Sequence, residues 1–345
     1  MKIAFFDAKD YDREYFDKFN NDRHQITYFK ENLTLDTINK VQGFDAVCVF
    51  VNTYGNQEIL ETLHKMGIKF WLQRSMGYNK VDLAKANELG IEVFRIFNYS
   101  AESVAEMAVL MLMTLNRNLL QAQKRISNYN FSINGLQGLC VNSSTVGVIG
   151  GGKIGQAFIR IIRGMGAKIL VYDPYAQEHF PDLAQKMGFE FVSLNQLFKD
   201  SDFISLHAPL LASTRHIINK EAIEMMKESV IIVNTARGEL IDTTAILEGL
   251  KTKKIRGLAT DVLEREEGRF YEDCSSIKEQ IQQKDPQWKE LIEMDNVLIT
   301  SHQAYLTDLA LSQIAKITLD NADAAQRGDF TNSLKLMKDG TVKNG

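Results

Sequence analysis

The chain is poor in the features that mark exported, membrane-bound or nucleic-acid-binding proteins. It has only three cysteines in 345 residues, and none of them forms a CxxC pair. Reduced thiols in a cytosol are therefore the simplest interpretation. Forty basic and 44 acidic residues leave a net charge of -4. Such a balanced charge does not indicate binding to nucleic acid or to an anionic membrane.

Long apolar runs and metal-ligand patterns are also missing. Residues 1–10 contain too short an apolar segment, and too early an acid, for a signal peptide. The longest apolar run, residues 107–115, falls well short of the roughly 18 residues that span a bilayer. No cluster of His, Cys and Asp has the spacing of metal ligands, so we expect no metal. We therefore expect a soluble, cytoplasmic protein of about two domains, at roughly 150 residues each.

The most informative segment that is present covers residues 145–173. A short apolar run at 146–149 leads into the glycine turn GGGKIG at 150–155 and then into a helical pattern. A second apolar run follows at 168–171, with an acid just beyond it. This order of strand, glycine turn, helix, strand and acid is typical of a dinucleotide-binding unit.

Each special residue of this unit has a predicted task. Gly150 permits the tight turn, Gly152 lets backbone amides approach a pyrophosphate, and Gly155 lets the helix pack close to the strand. The helix N-terminus would face the phosphates with unpaired donors. Asp173 would bond the adenosine ribose hydroxyls and repel a 2′-phosphate. These residues predict NAD, and not NADP, as the cofactor.

The rest of the chain also alternates strands with helix-length segments. We predict strands at 3–6, 46–51, 70–72 and 93–97 before the glycine turn, and at 203–206, 230–233, 257–259 and 297–299 after it. One long helix is expected from about 103 to 126, buried between domains or subunits. From residue 303 onward the chain is expected to be helical, without another strand.

These elements predict an α/β fold with two Rossmann/flavodoxin-like domains and parallel sheets. A nucleotide domain at 100–301 would be inserted in a discontinuous substrate domain at 1–99 plus 302–345. Polar residues follow the later strands, and ligands of open α/β sheets bind outside the carboxyl ends of the strands. We therefore expect these polar residues to converge on one crevice.

Two residues in that crevice could bind and protonate a 2-oxo acid. Arg237 follows the run at 230–233, and its planar fork can grip carboxylate and carbonyl oxygens together. A surface arginine is the alternative. His302 follows the run at 297–299, where a purely structural histidine is equally compatible with the pattern.

An acidic loop at 264–267 supplies the third candidate. Glu266 could orient the imidazole of a catalytic histidine and hold its proton. Glu264 and Glu267 could compete for that role, and an acidic loop is otherwise just a solvated loop. His207 could line the nicotinamide site or serve only the structure. The remaining histidines, His24, His64, His179 and His216, are expected at the surface.

At this point the chain resembles the D-isomer-specific 2-hydroxyacid dehydrogenase family over essentially its whole length. The matching segments, in order, are RSMGYNKVDL (74–83), YSAESVAEMAVLML (99–112), GVIGGGKIGQ (147–156), SLHAPL (205–210), IVNTARGELID (232–242), ATDVLEREE (259–267) and NVLITSHQAYLT (296–307). Within the family, segments 46–52, 74–79 and 270–275 are most like those of members that reduce pyruvate to D-lactate.

The resemblance implies roles position by position. It assigns substrate binding to Arg237, proton donation to His302, and the histidine's carboxylate partner to Glu266, five residues after Asp261. The substrate-binding residues that it implies are Met76, Gly77, Tyr99, Arg237 and Tyr305. The cofactor contacts that it implies, besides the glycines and Asp173, are Lys153, Ile154, His207, Ala208, Pro209, Thr214, Thr235, Ala236 and Asp261. Met76 departs from the family, in which alanine is common there; this bulkier side chain bears on the size of the pocket and not on the chemistry.

The implied reaction is reversible hydride transfer between NADH and pyruvate, with D-lactate as the product. One alternative is a larger 2-oxo acid such as phenylpyruvate, although residues 50 and 51 together with the two tyrosines suggest a small apolar pocket. Another is an NAD-sensing interaction protein of the same fold. The resemblance and the apolar stretch at 104–120 imply a homodimer or homotetramer, with a small-molecule substrate and neither nucleic acid nor membrane as a partner.

Overall fold

Most apolar runs of the sequence form buried strands, as parallel sheets require; β-strands at Ala46–Val49, Phe203–Leu206 and Val230–Asn234 are buried at every residue. The structure is a computed structural model and describes residues 1–337 and 342–344. The strands in chain order are β1 (Lys2–Phe5), β2 (Gln25–Tyr28), β3 (Ala46–Val49), β4 (Phe70–Gln73), β5 (Glu92–Arg95), β6 (Thr145–Ile149), β7 (Lys168–Tyr172), β8 (Glu190–Phe191), β9 (Phe203–Leu206), β10 (Val230–Asn234), β11 (Ile255–Thr260), β12 (Val297–Ile299), β13 (Ser333–Leu336) and β14 (Val342–Asn344).

Helices alternate with these strands, and several begin at a side-chain cap such as Asn56, Ser193 or Asp242. The α-helices are α1 (Asp10–Asn20), α2 (Gln57–Lys65), α3 (Leu83–Leu89), α4 (Ala101–Asn116), α5 (Leu119–Ser127), α6 (Lys153–Gly164), α7 (Pro174–His179), α8 (Leu183–Met187), α9 (Leu194–Asp200), α10 (Lys220–Met225), α11 (Thr243–Lys251), α12 (Lys278–Lys284), α13 (Pro286–Glu293) and α14 (Asp308–Gln326). Short 3-10 turns lie at Ile38–Val41, Val141–Ser143, Gly238–Leu240 and Ser275–Ile277.

The chain divides into two compact units, Met1–Ser100 with Leu306–Gly345, and Ala101–Tyr305. In the first unit the strand order is β14-β13-β5-β4-β3-β1-β2. Strands β1 to β5 are parallel, whereas β13 is antiparallel to both β5 and β14. Its core includes Trp71, Leu60 and Leu63, none of which has any exposed surface.

In the second unit all the paired strands are parallel, in the order β12-β11-β10-β9-β6-β7-β8. Strand β6 lies between β7 and β9, so the strand order reverses at β6. Ligands of such sheets bind at this switch point, outside the carboxyl ends of the strands. The predicted fold class, two α/β units with one inserted in the other, is confirmed.

The expectation that no strand follows residue 303 was wrong, because β13 and β14 lie there. Strand β13 has only four residues and reads Ser-Leu-Lys-Leu, which is too short for a clear period; its pairing of Leu334 with Val93 makes it a strand. The chain divides after Tyr305, and the boundary predicted from the sequence lies after residue 301.

The single helix expected at 103–126 is two helices. Asn118 has a left-handed φ of 50° and separates α4 from α5. The break is stabilised by a residue that is distant in sequence: the side chain of Asn116 donates to Leu139 O and accepts from Leu139 N, both at 2.9 Å. Helix α4 is buried against α6, β10 and β11, whereas α5 has no buried residue. Within the described ranges, no helix is both long and apolar enough to cross a membrane.

Candidate active site

The glycine turn after β6 has the close contacts that its sequence predicted. Gly150 has a φ of +102°, and a Cβ there would lie 2.6 Å from Ala208 N. A Cβ on Gly155 would lie 2.0 Å from Gly150 O, so α6 can approach the strand only without a side chain. A Cβ on Gly152 would meet nothing within 4 Å, which leaves open space before the first turn of α6. These residues fit the diphosphate of a dinucleotide.

Asp173 follows β7 and is held by two backbone amides. Its Oδ2 accepts from Gly151 N at 2.7 Å, and its Oδ1 caps α7 by accepting from Ala176 N at 2.9 Å. The carboxylate therefore lies beside the glycine turn in a fixed orientation. This placement fits the predicted bond to a ribose.

His207 follows β9 and contacts the glycine turn with its backbone. Its N–H donates to Ile149 O at 2.8 Å, and its Nε2 lies 2.9 Å from Ser205 Oγ. Burial of the ring lowers the pKa of His207 to about 3, so the imidazole is neutral. Part of the residue reaches solvent, yet its Nδ1 is buried without a hydrogen-bond partner among the described residues. Thr214 secures the following loop by donating to Pro209 O at 2.6 Å.

Arg237 lies in a turn after β10 that the Asn234 side chain holds. Asn234 Nδ2 donates to Arg237 O at 2.8 Å, and its Oδ1 accepts from Ala236 N at 3.0 Å. Thr235 between them is buried. The guanidinium of Arg237 is half-buried, and its Nη1 donates to Ala236 O at 2.6 Å. An arginine in this position can still present the rest of its fork to a carboxylate.

His302 and Glu266 form a direct pair. Nδ1 of His302 lies 2.6 Å from Oε1 of Glu266, and the other oxygen of Glu266 accepts from Leu263 N at 3.0 Å. The two side chains are 19% and 22% exposed. Because a carboxylate can only accept a hydrogen bond, Nδ1 carries the proton, and this hydrogen bond fixes the orientation of the ring.

The loop that carries His302 is organised by Asp261, at the end of β11. The N–H of His302 donates to Asp261 O at 2.7 Å. The Asp261 carboxylate is fully buried and accepts from Gln303 N at 2.9 Å, from Ala304 N at 2.8 Å and from the hydroxyl of Thr300. Burial raises the pKa of Asp261, although these hydrogen bonds oppose the rise. The adjacent parallel ends of β11 and β12 thus hold His302 in place.

The structure corrects the description of Glu264 as a solvated loop charge: its side chain is 15% exposed and contacts His216, which is 34% exposed. Oε1 of Glu264 lies 2.7 Å from His216 Nε2, and its Oε2 accepts from the hydroxyl of Thr243 at 2.6 Å. Burial raises the pKa of Glu264, but hydrogen bonds from Thr243 and His216 outweigh burial and lower it overall. His24 is also buried, 3.1 Å from Asp323, and not at the surface as expected. Neither the contact of Glu264 with His216 nor that of His24 with Asp323 could be predicted from the spacing of these residues in the sequence.

The remaining candidates are divided between the two units. In the first unit Met76 and Gly77 follow β4; Met76 O accepts from Arg95 Nη1 at 2.9 Å, and Gly77 O accepts from Ser75 Oγ at 2.8 Å. Tyr99 is half-buried in the first unit. In the second unit Tyr305 is buried.

Comparison with known proteins identifies the family to which the chain belongs. Residues 109–304, more than half of the chain, match the family described as D-isomer specific 2-hydroxyacid dehydrogenase, NAD binding domain. A D-lactate dehydrogenase of Escherichia coli (strain K12) is 43% identical over 330 residues, which cover 95% of this chain and 98% of that protein. The chain belongs to the D-isomer-specific 2-hydroxyacid dehydrogenase family.

Solved structures agree with this membership. The apo-structure of D-lactate dehydrogenase from Escherichia coli has a TM-score of 0.86 at 40% identity, covering 96% of this chain and 99% of that one. The pyruvate reductase of Chlamydomonas reinhardtii has a TM-score of 0.89 at 34% identity, covering 95% of this chain and 97% of that one. The family resemblance, the dehydrogenase class and the NAD cofactor predicted from the glycine turn are confirmed.

Proposed function

We propose that this 2-hydroxyacid dehydrogenase interconverts pyruvate and D-lactate. The observation that carries the proposal is the 2.6 Å contact between His302 and Glu266 at the carboxyl end of a nucleotide-binding sheet. The similarity to an E. coli D-lactate dehydrogenase supports pyruvate as the substrate. When bound, NADH supplies the hydride that C2 of the 2-oxo acid receives.

His302 is the proposed proton donor. Its Nδ1 is engaged by Glu266, so Nε2 is the nitrogen that exchanges a proton with the carbonyl oxygen of the substrate. Glu266 holds the orientation of the ring through this contact. General acid catalysis of this kind contributes about 10² to 10⁴-fold to the rate.

Arg237 is the proposed substrate clamp. Its planar fork binds the carboxylate and the carbonyl oxygen together and stabilises the charge that develops on that oxygen. Arg237 is half-buried, and its backbone is held in the turn by Asn234, which supports this role. The roles of Met76, Gly77, Tyr99 and Tyr305 in binding the rest of the substrate are proposed from the family resemblance alone.

The proposed cofactor residues lie along one edge of the second sheet. Gly150, Gly152 and Gly155, with Lys153 and Ile154 at the start of α6, would hold the diphosphate, and Asp173 would hold the ribose. His207, Ala208, Pro209, Thr214, Thr235, Ala236 and Asp261 follow β9, β10 and β11 and would line the rest of the cofactor. Accordingly we assign cofactor binding to the inserted unit, which also contains Arg237 and His302.

We also propose that the enzyme is a cytoplasmic homo-oligomer. Helix α5 and the residues after it expose large apolar side chains, among them Leu119, Leu120, Tyr129, Phe131 and Ile133. A patch of this kind on a single chain is typical of an interface. All three cysteines are free, which is compatible with a reducing compartment. Analytical ultracentrifugation of the wild type and of a Phe131→Ser, Ile133→Ser double variant tests the oligomer, which should dissociate in the variant.

The substrate proposal is tested by oxidation of NADH with pyruvate, phenylpyruvate and 2-oxoisocaproate, followed by chiral chromatography of the product. We expect the highest kcat/KM with pyruvate and only D-lactate as its product. A higher kcat/KM with a larger acid would transfer the proposal to that acid, and L-lactate or a racemate would contradict it. Binding of NADH without turnover of any 2-oxo acid would indicate an interaction protein instead.

A further inference from the structure

We propose that Tyr271 is a positioning residue that holds the backbone of His302 through its hydroxyl. The inference rests on the proposed roles of His302 and Glu266. It concerns the segment at residues 269–271, which follows the loop of Glu266 and contacts both members of the pair.

The segment begins with a turn on Glu266. The carbonyl oxygen of Glu266 accepts from Arg269 N at 3.2 Å and from Phe270 N at 3.1 Å. The backbone of Glu266 is therefore tied to the segment, while its side chain reaches His302. A displacement of the turn would move the carboxylate as well.

The segment itself is anchored in the core of the second unit. Phe270 is buried against Trp288, with ring centroids 5.5 Å apart. The guanidinium of Arg269 lies 4.4 Å from the centre of the Trp288 ring, and its Nη1 pairs with the buried Asp285 at 3.0 Å. A buried ring and a buried ion pair on consecutive residues leave the turn little freedom.

Tyr271 connects this anchored turn to His302. Its hydroxyl donates to His302 O at 3.1 Å, and its ring lies 5.8 Å from the imidazole with an interplanar angle of 33°. His302 has a left-handed φ of 55°, a conformation that costs a residue with a side chain about 1 kcal/mol or more. Its N–H is held by Asp261 and its C=O by Tyr271, so the strained residue is fixed on both sides.

This restraint matters because proton transfer depends on the exact position of the ring. Asp261 and Tyr271 act on the backbone of His302, and Glu266 acts on its imidazole. Without the tyrosine hydroxyl, the peptide after His302 can relax and the ring loses part of its alignment. A misplacement of about 1 Å at a reacting group can cost about 100-fold in rate, so the partial loosening expected here is about ten-fold in kcat.

The test compares Tyr271→Phe with a matched control, Tyr15→Phe on helix α1 of the first unit. Both substitutions remove one oxygen and keep the ring. We expect Tyr271→Phe to lower kcat for pyruvate about ten-fold while the KM for pyruvate, the Kd for NADH by fluorescence and the Tm stay near wild type. Tyr15→Phe should change none of these quantities. A wild-type kcat in Tyr271→Phe would overturn the proposal, and so would a fall in kcat matched by a lower Tm or weaker NADH binding.

A double-mutant cycle separates this inference from the function on which it rests. If Tyr271 acts through the pair, Tyr271→Phe should cost less than about two-fold in a Glu266→Gln background. The full ten-fold loss in that background would contradict action through Glu266 and His302. Normal activity of Glu266→Gln alone would instead contradict the proposed role of Glu266, whatever Tyr271 does.

Discussion

Replacement of Glu266 by glutamine is the most direct test of the proposed proton donor. Glutamine keeps the shape and an oxygen acceptor for His302 Nδ1 but removes the negative charge. The charge-assisted hydrogen bond that orients the ring then becomes a neutral one. We expect kcat to fall in both directions, because the same imidazole gives up the proton in pyruvate reduction and takes it back in lactate oxidation.

The size of the effect follows from the geometry of the pair. Nδ1 of His302 lies 2.6 Å from Oε1 of Glu266, which is a short, charge-assisted hydrogen bond. A hydrogen bond to a charged group contributes about 1.5 to 3 kcal/mol, whereas a neutral one contributes about 1 kcal/mol. The replacement should therefore cost about 0.5 to 2 kcal/mol, which corresponds to a kcat about two-fold to thirty-fold lower.

The assay records kcat in both directions for the wild type, Glu266→Gln and the control Glu267→Gln. Glu267 is an exposed neighbour in the same loop, so its replacement should leave kcat unchanged. An unchanged kcat in Glu266→Gln would refute the assignment of the carboxylate partner. Equal losses in both variants would mean that the loop acts only through its net charge.

Three further substitutions test separate parts of the site. Arg237→Lys should abolish most pyruvate turnover and leave NADH binding near wild type, because a point charge cannot replace the planar fork; a near-normal kcat/KM would make Arg237 a surface residue. Asp173→Asn keeps an acceptor for Gly151 N but loses the charge, so the ratio of kcat/KM for NADH over NADPH should fall by about ten-fold or more; an unchanged ratio contradicts the role. Glu264→Gln should lower the Tm at pH 7, and this deficit should shrink as the pH falls below about 4. The pKa of Glu264 is lowered by folding, so its stabilisation is present above the unfolded value of about 4.3 and is lost as the pH falls through the folded value; a Tm deficit that does not change with pH would contradict this.

Local sequence was sufficient for the nucleotide-binding half of the site. The apolar run at 146–149 is buried on both faces of the sheet, so it needs no polar alternation and is recognisable as a strand. A Cβ at position 150 or 155 would lie within 3 Å of backbone atoms, so only glycine fits at these two positions. Each signal comes from a residue and its near neighbours in the chain.

Other features depend on partners that are distant in sequence. The helix break at Asn118 is stabilised by the bond of Asn116 to Leu139, 23 residues away. Strand β13 exists because Leu334 pairs with Val93. The contact of His216 with Glu264 spans 48 residues. Propensity and periodicity are local quantities, so neither contains information about such pairs.

The sequence by itself determined the strands around the nucleotide-binding turn, where the glycine turn lies and which side chains follow these strands. Tertiary structure alone decided that Glu266 and His302, 36 residues apart, lie 2.6 Å from each other. They meet because β11 and β12 are neighbouring parallel strands whose carboxyl ends share one edge of the sheet. Strand pairing is a long-range choice driven by burial of the whole sheet, so the catalytic distance is a property of the fold and not of any segment.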